Sequence, residues 1–375
     1  VELKYPRQGE NLSPFLFIDM DGDKTDEVLV TFTTGEGSKN SQLALLKIQE
    51  NGKWKVVFET EGKNTDIDKV VFANLFNDTQ TQIIVGYTNL NLSDKYMVVY
   101  NFGDNKLTSI YEQPYFQFDI ADITADGQTD IVAVSSPIQM GRLQLSLIEA
   151  VGGELKPPQV TDLDIRFNQC TGFGISKSLW RGRCVVLDGY VSSQSIASEV
   201  LYFNGEIFKR CNVTGNVGIP DVSEREYLNI KSIDIDKDGT IEVPVMDKNK
   251  DDICDDARFS FMSWYEFDEK QAFEEIYGLV DVQQGYFLQL PMRWKNEITI
   301  TKGPEDDLWL VRDKETETVL MFIRLALQGE DVSQGGDSRY TQVAVLGNYR
   351  LYIYVTEYAG SIDPNRIYKG VTRLA

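Results

Sequence analysis

The stretch FIDMDGDKTDEVLV, residues 17–30, packs Asp19, Asp21, Asp23, Asp26 and Glu27 into nine positions and then runs straight into apolar residues. Three further stretches share its plan: FANLFNDTQTQIIVGY from Phe72, IADITADGQTDIVAV from Ile120 and SIDIDKDGTIEVPVM from Ser232. Each has an apolar lead, a polar loop and a β-branched strand. The loops begin at Asp19, Asn74, Asp122 and Asp234. The first two steps are about fifty residues and the last about twice that, so a degenerate copy is due between the last two. ISKSLWRGRCVVLDGYV from Ile175 fills that place, with Lys177, Arg181 and Arg183 where acids stand elsewhere.

Alternating strands follow the loops, as in QLALLKIQENGKWKVVFET and SEVLYFNGEIFKRC, where Asn51-Gly52 and Asn204-Gly205 are two-residue hairpin signals. Helical periodicity is scarce. Units of about fifty residues, each a meander of roughly four strands, predict an all-β chain built of β-propeller blades. From Gly285 onward the strands YFLQLP, EITITK, LWLVRD, TVLMFIRLAL, TQVAVLG and RLYIYVTEY lack the acidic loop. Two architectures stay open. One is a propeller of five clear repeats over residues 1–278 with a C-terminal β-rich domain at 279–375. The other is a single seven-bladed propeller in which that last stretch forms two degenerate blades.

Aligned on their first acid, the loops place oxygen-bearing residues at alternate positions. The sets are Asp19, Asp21, Asp23, Thr25 and Glu27; Asp122, Thr124, Asp126, Gln128 and Asp130; and Asp234, Asp236, Asp238, Thr240 and Glu242. Alternate spacing turns these side chains to one side of a tight loop, with the position-seven carbonyl as a further ligand, which is the oxygen cage that Ca²⁺ requires. Gly127 and Gly239 at position six permit the turn, and Lys24 replaces that glycine in the first loop. Asp and Gly also populate ordinary turns, but carboxylates clustered in register repel one another unless a cation neutralises them. Two to three Ca²⁺ ions are expected, with the first and fifth loops ranked above the third, where Thr124 offers a neutral oxygen. The second loop, Asn74, Phe76, Asp78 and Gln82, has lost most of its charge, and in the fourth basic residues take the cation's part.

Composition narrows the partners. With 37 basic and 58 acidic residues the net charge is −21, which argues against nucleic acid and anionic membranes. Histidine is absent, which removes Ser-His and Cys-His nucleophile pairs and His-ligated zinc. Cys170, Cys184, Cys211 and Cys254 show no C-x-x-C spacing, leaving up to two disulfides or four buried thiols. No stretch approaches the ~20 apolar residues of a membrane span. The opening VELKYP reads as a trimmed start, with a removed export signal or lipid anchor upstream.

The loops DMDGDKTDE and DIDKDGTIE, and less closely DITADGQTD, resemble the FG-GAP or integrin-α-type (VCBS-like) propeller repeat, in which a D-x-D-G-D-G-x-x-D loop between two strands holds Ca²⁺. The likeness covers residues 1 to about 278. LKYPRQGE, VLDGYV and GYFLQLPMRWKNEITI look like exported, often lipid-anchored repeat proteins of Gram-positive gut bacteria. That resemblance implies a separate C-terminal domain and a place outside the cell or on its surface.

Together these readings predict a monomeric, extracellular, calcium-stabilised binding or scaffold module for a protein or glycan, and not an enzyme. Tyr352, Tyr354 and Tyr358, separated by even numbers of residues and so on one side of a strand, form an aromatic stripe that would serve either as ligand surface or as packing. The alternatives are an extracellular sensor domain or a carbohydrate-active enzyme using paired carboxylates, for which Asp188 is the one tempting candidate.

Overall fold

The computed structural model describes the chain apart from residues 36–39, 78–79, 93, 137–140, 179–181, 215–216, 227–228, 248–257, 269–270, 329–338, 361 and 375. The described residues form antiparallel sheets, none closed into a barrel. The repeats read from the sequence emerge as successive four-stranded meanders. In the second unit Asp66–Asn77, Gln80–Thr88, Tyr96–Gly103 and Lys106–Pro114 pair in chain order. The third unit does the same with Gln117–Ala121, Asp130–Ser135, Gln144–Ile148 and Gln159–Asp162, and the fourth with Gln169–Lys177, Arg183–Tyr190, Ile196–Phe203 and Phe208–Arg210. In the first, Phe15–Ile18 and the short Glu2–Leu3 both pair with Glu27–Thr33, which continues to Gln42–Ile48 and Trp54–Glu61.

Why the second strand of a unit is so deeply buried follows from its composition. EVLVTFT is buried over six consecutive positions, and a run of β-branched and aliphatic residues needs cover on both faces. The fourth strand of the first unit, WKVVFETE, is largely exposed or half-buried. Both Asn-Gly signals sit in turns. Gly52 has φ +76 and its N–H donates to the Gln49 carbonyl, and Gly205 has φ +100.

The chain divides into two compact units: Val1–Ile175 with Arg181–Val185 and Leu201–Lys209, and Ser176–Trp180 with Val186–Val200 and Arg210–Ala375. Within the first, Leu16, Leu29, Leu43, Val85, Val98 and Phe102 share one apolar cluster, and Ile84, Val99, Phe118 and Ile131 another. Consecutive meanders therefore bury their faces against each other. Within the second, Val243–Met246, Phe259–Phe267, Ala272–Asp281, Tyr286–Leu290 and Val371–Arg373 form one sheet, and Ile298–Lys302, Leu308–Asp313, Val319–Leu327, Tyr349–Val355 and Thr341–Leu346 another. A single cluster including Phe259, Tyr277, Trp309, Ile323 and Ile353 joins these two sheets.

One charged element lies inside the second unit's core. Asp188 and Arg225 are buried, with side-chain exposures of 1% and 0%. Asp188 Oδ1 accepts from Arg225 Nη2 at 2.8 Å and Ser198 Oγ at 2.6 Å, and its Oδ2 from the Ser232 N–H at 2.8 Å. The guanidinium also donates to the carbonyls of Ser223 and Ile230. Removing one partner of such a pair leaves the other charge desolvated, at a cost of about 3–5 kcal/mol. Asp188→Ala should therefore lower the urea midpoint of unfolding sharply, whereas Glu50→Ala, at an exposed turn residue, should leave it nearly unchanged; equal midpoints would contradict the network's role.

Candidate metal centre

Three loops of unrelated detail fold onto one backbone. Positions four and six carry positive φ in each: Gly22 and Lys24 (+76 and +70), Ala125 and Gly127 (+60 and +87), Lys237 and Gly239 (+67 and +96). Lys24 thus adopts the left-handed conformation that glycine supplies in the other two. At Gly239 an added Cβ would also meet the Lys177 ammonium.

The position-one carboxylate organises the turn. Asp19 accepts from the N–H groups of Asp23 and Lys24 at 3.1 and 2.8 Å, Asp122 from Asp126 and Gly127, both at 3.1 Å, and Asp234 from Asp238 and Gly239, both at 3.0 Å. Position five repeats the device one step on: Asp23, Asp126 and Asp238 accept from Thr25, Gln128 and Thr240 at 2.7 to 2.8 Å. Much of the acid in these loops therefore holds backbone, as the turn reading requires.

Position nine carries a second, buried device. One oxygen of its side chain accepts the N–H of position two: Glu27 from Met20 at 2.9 Å, Gln82 from Leu75 at 2.7 Å, Asp130 from Ile123 at 2.9 Å, and Glu242 from Ile235 at 2.9 Å. All four acceptors are buried, and so are the apolar side chains at position two. The second loop keeps this latch although its charge is gone, with Asn74 accepting from the Thr81 hydroxyl; Asp78 lies outside the described residues.

What differs is the other end of the position-nine side chain. The Gln82 amide donates to Asn101 Oδ1 at 3.1 Å. Glu27 Oε1 is 2.9 Å from Lys47 Nζ, which also reaches Asp21 Oδ2 at 2.7 Å. In the third loop Thr124 donates its N–H and hydroxyl to the Asp130 oxygen that holds the latch. In the fifth, Glu242 Oε1 is buried without a hydrogen-bond partner among the described residues. Burial pushes the Glu242 carboxyl up to about 8 against the pull of the Ile235 N–H, and the charges of Asp236 and Glu266 add to the rise. Burial and the neighbouring charges of Glu275, Asp238 and Asp236 push Glu266 up to about 7. Asp130 is pushed up to about 6 by burial.

Among the described residues, two loops bring carboxylates close enough to share an ion. One oxygen each from Asp234, Asp236, Asp238 and Glu242 lies within 4.8 Å of the others, as does one each from Asp19, Asp21 and Glu27. That is the span of two oxygens on opposite sides of an ion about 2.4 Å from each. The loop of Asp122, Asp126 and Asp130 makes no such group, and Asp23 stays outside the first. A hard, all-oxygen donor set suits Ca²⁺.

The remaining candidates are placed as follows. Lys177, read as part of a fourth loop, reaches the fifth: its Nζ donates to the Asp238 carbonyl at 2.5 Å and its N–H to the Gly239 carbonyl at 3.1 Å. Arg181 and Cys254 lie outside the described residues, and Cys170, Cys184 and Cys211 are buried. Asp188 belongs to the buried network with Arg225 and not to an open site. Tyr354 stacks on Phe322 at 5.6 Å, while Tyr358 is exposed on a one-turn helix. No helix among the described residues is long and apolar enough to cross a membrane.

No family model matches the chain, and no curated protein does. Solved structures that resemble it include the rhamnogalacturonan lyase PL11 of Bacillus licheniformis, with 10% identity, a TM-score of 0.37, and coverage of 85% of this chain and 69% of that one. The rhamnogalacturonan lyase YesW matches at 10% identity and a TM-score of 0.35 with the same coverage. The exotype rhamnogalacturonan lyase YesX matches at 11% identity and 0.35, over 85% of this chain and 73% of that one. The expectation that the chain is not an enzyme is withdrawn on this finding, since the structures it resembles are named as enzymes. At TM-scores below 0.5 the likeness assigns no activity in its place.

Glu242→Gln keeps the latch to Ile235 and removes the buried charge. In EDTA, above about pH 8 where the wild-type carboxyl is ionised, the variant should melt above wild type. In calcium the order should reverse, because one ligand of the cage has lost its charge. A variant that gains as much from calcium as wild type would remove Glu242 from the site.

Proposed function

We propose that the chain is an extracellular or cell-surface scaffold of FG-GAP-type β-blades, stabilised by Ca²⁺ at the loop Asp234–Glu242, that holds a binding surface for a glycan or protein. The observation that carries the metal is the Glu242 carboxylate, which groups with Asp234, Asp236 and Asp238 and keeps one buried oxygen without a partner among the described residues. A buried carboxylate oxygen without a donor costs free energy that a cation would recover. The propeller arrangement of the meanders, the exported location and the monomeric state come from the repeat's resemblance, and the net charge of −21 favours neutral or cation-bridged ligands.

Calcium at a hundred times its dissociation constant should stabilise the fold by ~2.7 kcal/mol per independent site. That is a rise in melting temperature of roughly 5–10 °C for a folding unit of this size. Magnesium, which keeps its waters, should give much less. Superimposed melts in calcium and EDTA would defeat the metal reading. The ligand is tested separately: the calcium-loaded chain is incubated with a panel of plant and microbial polysaccharides that includes rhamnogalacturonan. Retention on an immobilised polysaccharide would give the binding partner, and release of shortened products would place catalysis on the same scaffold.

A further inference from the structure

The position-nine acid of each loop faces a particular residue on the next strand of its own sheet. Gln82 pairs across the ladder with Asn101. Val28 pairs with Leu46, so Glu27 and Lys47 are the next residues along the same two strands. Val243 pairs with Tyr265, so by the same step Glu242 lies beside Glu266. Ile131 pairs with Ile148, so Asp130 lies beside Glu149. One ladder position thus holds an amide in the second unit, an ammonium in the first and a carboxylate in the third and fifth.

We infer that Lys47 is the resident cation of the first acidic loop, occupying with its ammonium the place that Ca²⁺ takes in the fifth, so that the lysine opposite position nine keeps an ion out of the first loop. The inference rests on the calcium reading of the fifth loop. Lys47 is held on three sides: Asp21 Oδ2 at 2.7 Å, Glu27 Oε1 at 2.9 Å and the Phe102 ring, whose centroid lies 5.4 Å from Nζ. Asp21 and Glu27 are two of the three acids that make up the first loop's candidate group. An ammonium with three donors satisfies both carboxylates and gains from the ring face. Calcium would have to expel it. In the fifth loop no lysine stands at this ladder position; Glu266 adds a further negative charge, and Glu242 keeps an oxygen without a donor.

The test counts calcium bound per chain, by equilibrium dialysis at millimolar free Ca²⁺ and by native mass spectrometry. Lys47→Met keeps the length of the side chain and removes its charge, and should bind one ion more than wild type. Adding Asp21→Asn to Lys47→Met should remove that extra ion and so place it in the first loop. No gain in Lys47→Met, or a gain that survives Asp21→Asn, overturns the inference. Should Lys47→Met fold poorly by circular dichroism, Lys47→Gln, which retains a donor, makes the same count. Asp234→Ala in the wild-type background separates the two claims. If it leaves the wild-type count unchanged, the fifth-loop reading fails, while the difference between wild type and Lys47→Met still decides the first.

Discussion

The buried hydrogen bond from the position-two N–H to the position-nine side chain is the constraint on which the repeat turns. It closes the polar loop across the mouth of the first two strands and sits between apolar side chains, with Met20, Leu75, Ile123 and Ile235 buried on one side. Four chemically different sequences keep it, through Glu, Gln, Asp and Glu. Each acceptor must enter the core, and a buried acceptor without its donor is expensive. The strand that follows is then fixed in register, because its first residue is already bonded. In the fifth unit the first strand shrinks to a single bridge, Ile233 to Glu242, and the loop still forms.

A carboxylate at position nine brings two oxygens into the core where the latch needs one. The second oxygen therefore needs an answer of its own, and the units give different ones. Gln82 removes the problem by being neutral, and its amide meets Asn101. Asp130, shorter by one methylene, gathers the N–H and hydroxyl of Thr124 onto the same oxygen that holds its latch. Glu27 meets an ammonium. The second oxygen of Glu242 has no hydrogen-bond partner among the described residues. On the calcium reading proposed above, an ion would enter where the fold has buried a carboxylate oxygen and set no donor against it.

Much of this was legible in the sequence. The spacing of the loops, the apolar strand after each and the Asn-Gly turns were sufficient to mark four-stranded meanders, because each signal is local and period-two alternation survives divergence. The loop ligands at alternate positions were equally legible. What could not be read was the partner of position nine. Lys47 stands twenty residues beyond Glu27 and Glu266 twenty-four beyond Glu242, distances set by intervening loops whose lengths differ, and only the ladder register brings them opposite. The same reason hid Lys177, which local alignment assigned to a loop of its own and which instead donates to the Asp238 carbonyl.

The acids of the loop thus divide by burial, and the division orders their consequences. Asp19, Asp122 and Asp234, half-buried at the loop, accept from backbone N–H groups that nearby water can also serve, so without an ion their loss is partly screened. Glu27 and Glu242 act where water does not reach, so the protein or an ion must supply what solvent would have supplied. A substitution on the neighbouring strand, at the ladder position of Lys47 or Glu266, then alters the loop's charge balance without touching the loop's own sequence. On the calcium reading, a repeat could in this way gain or lose an ion while its motif stays intact, and the motif alone would overstate the number of ions wherever a lysine stands across the ladder.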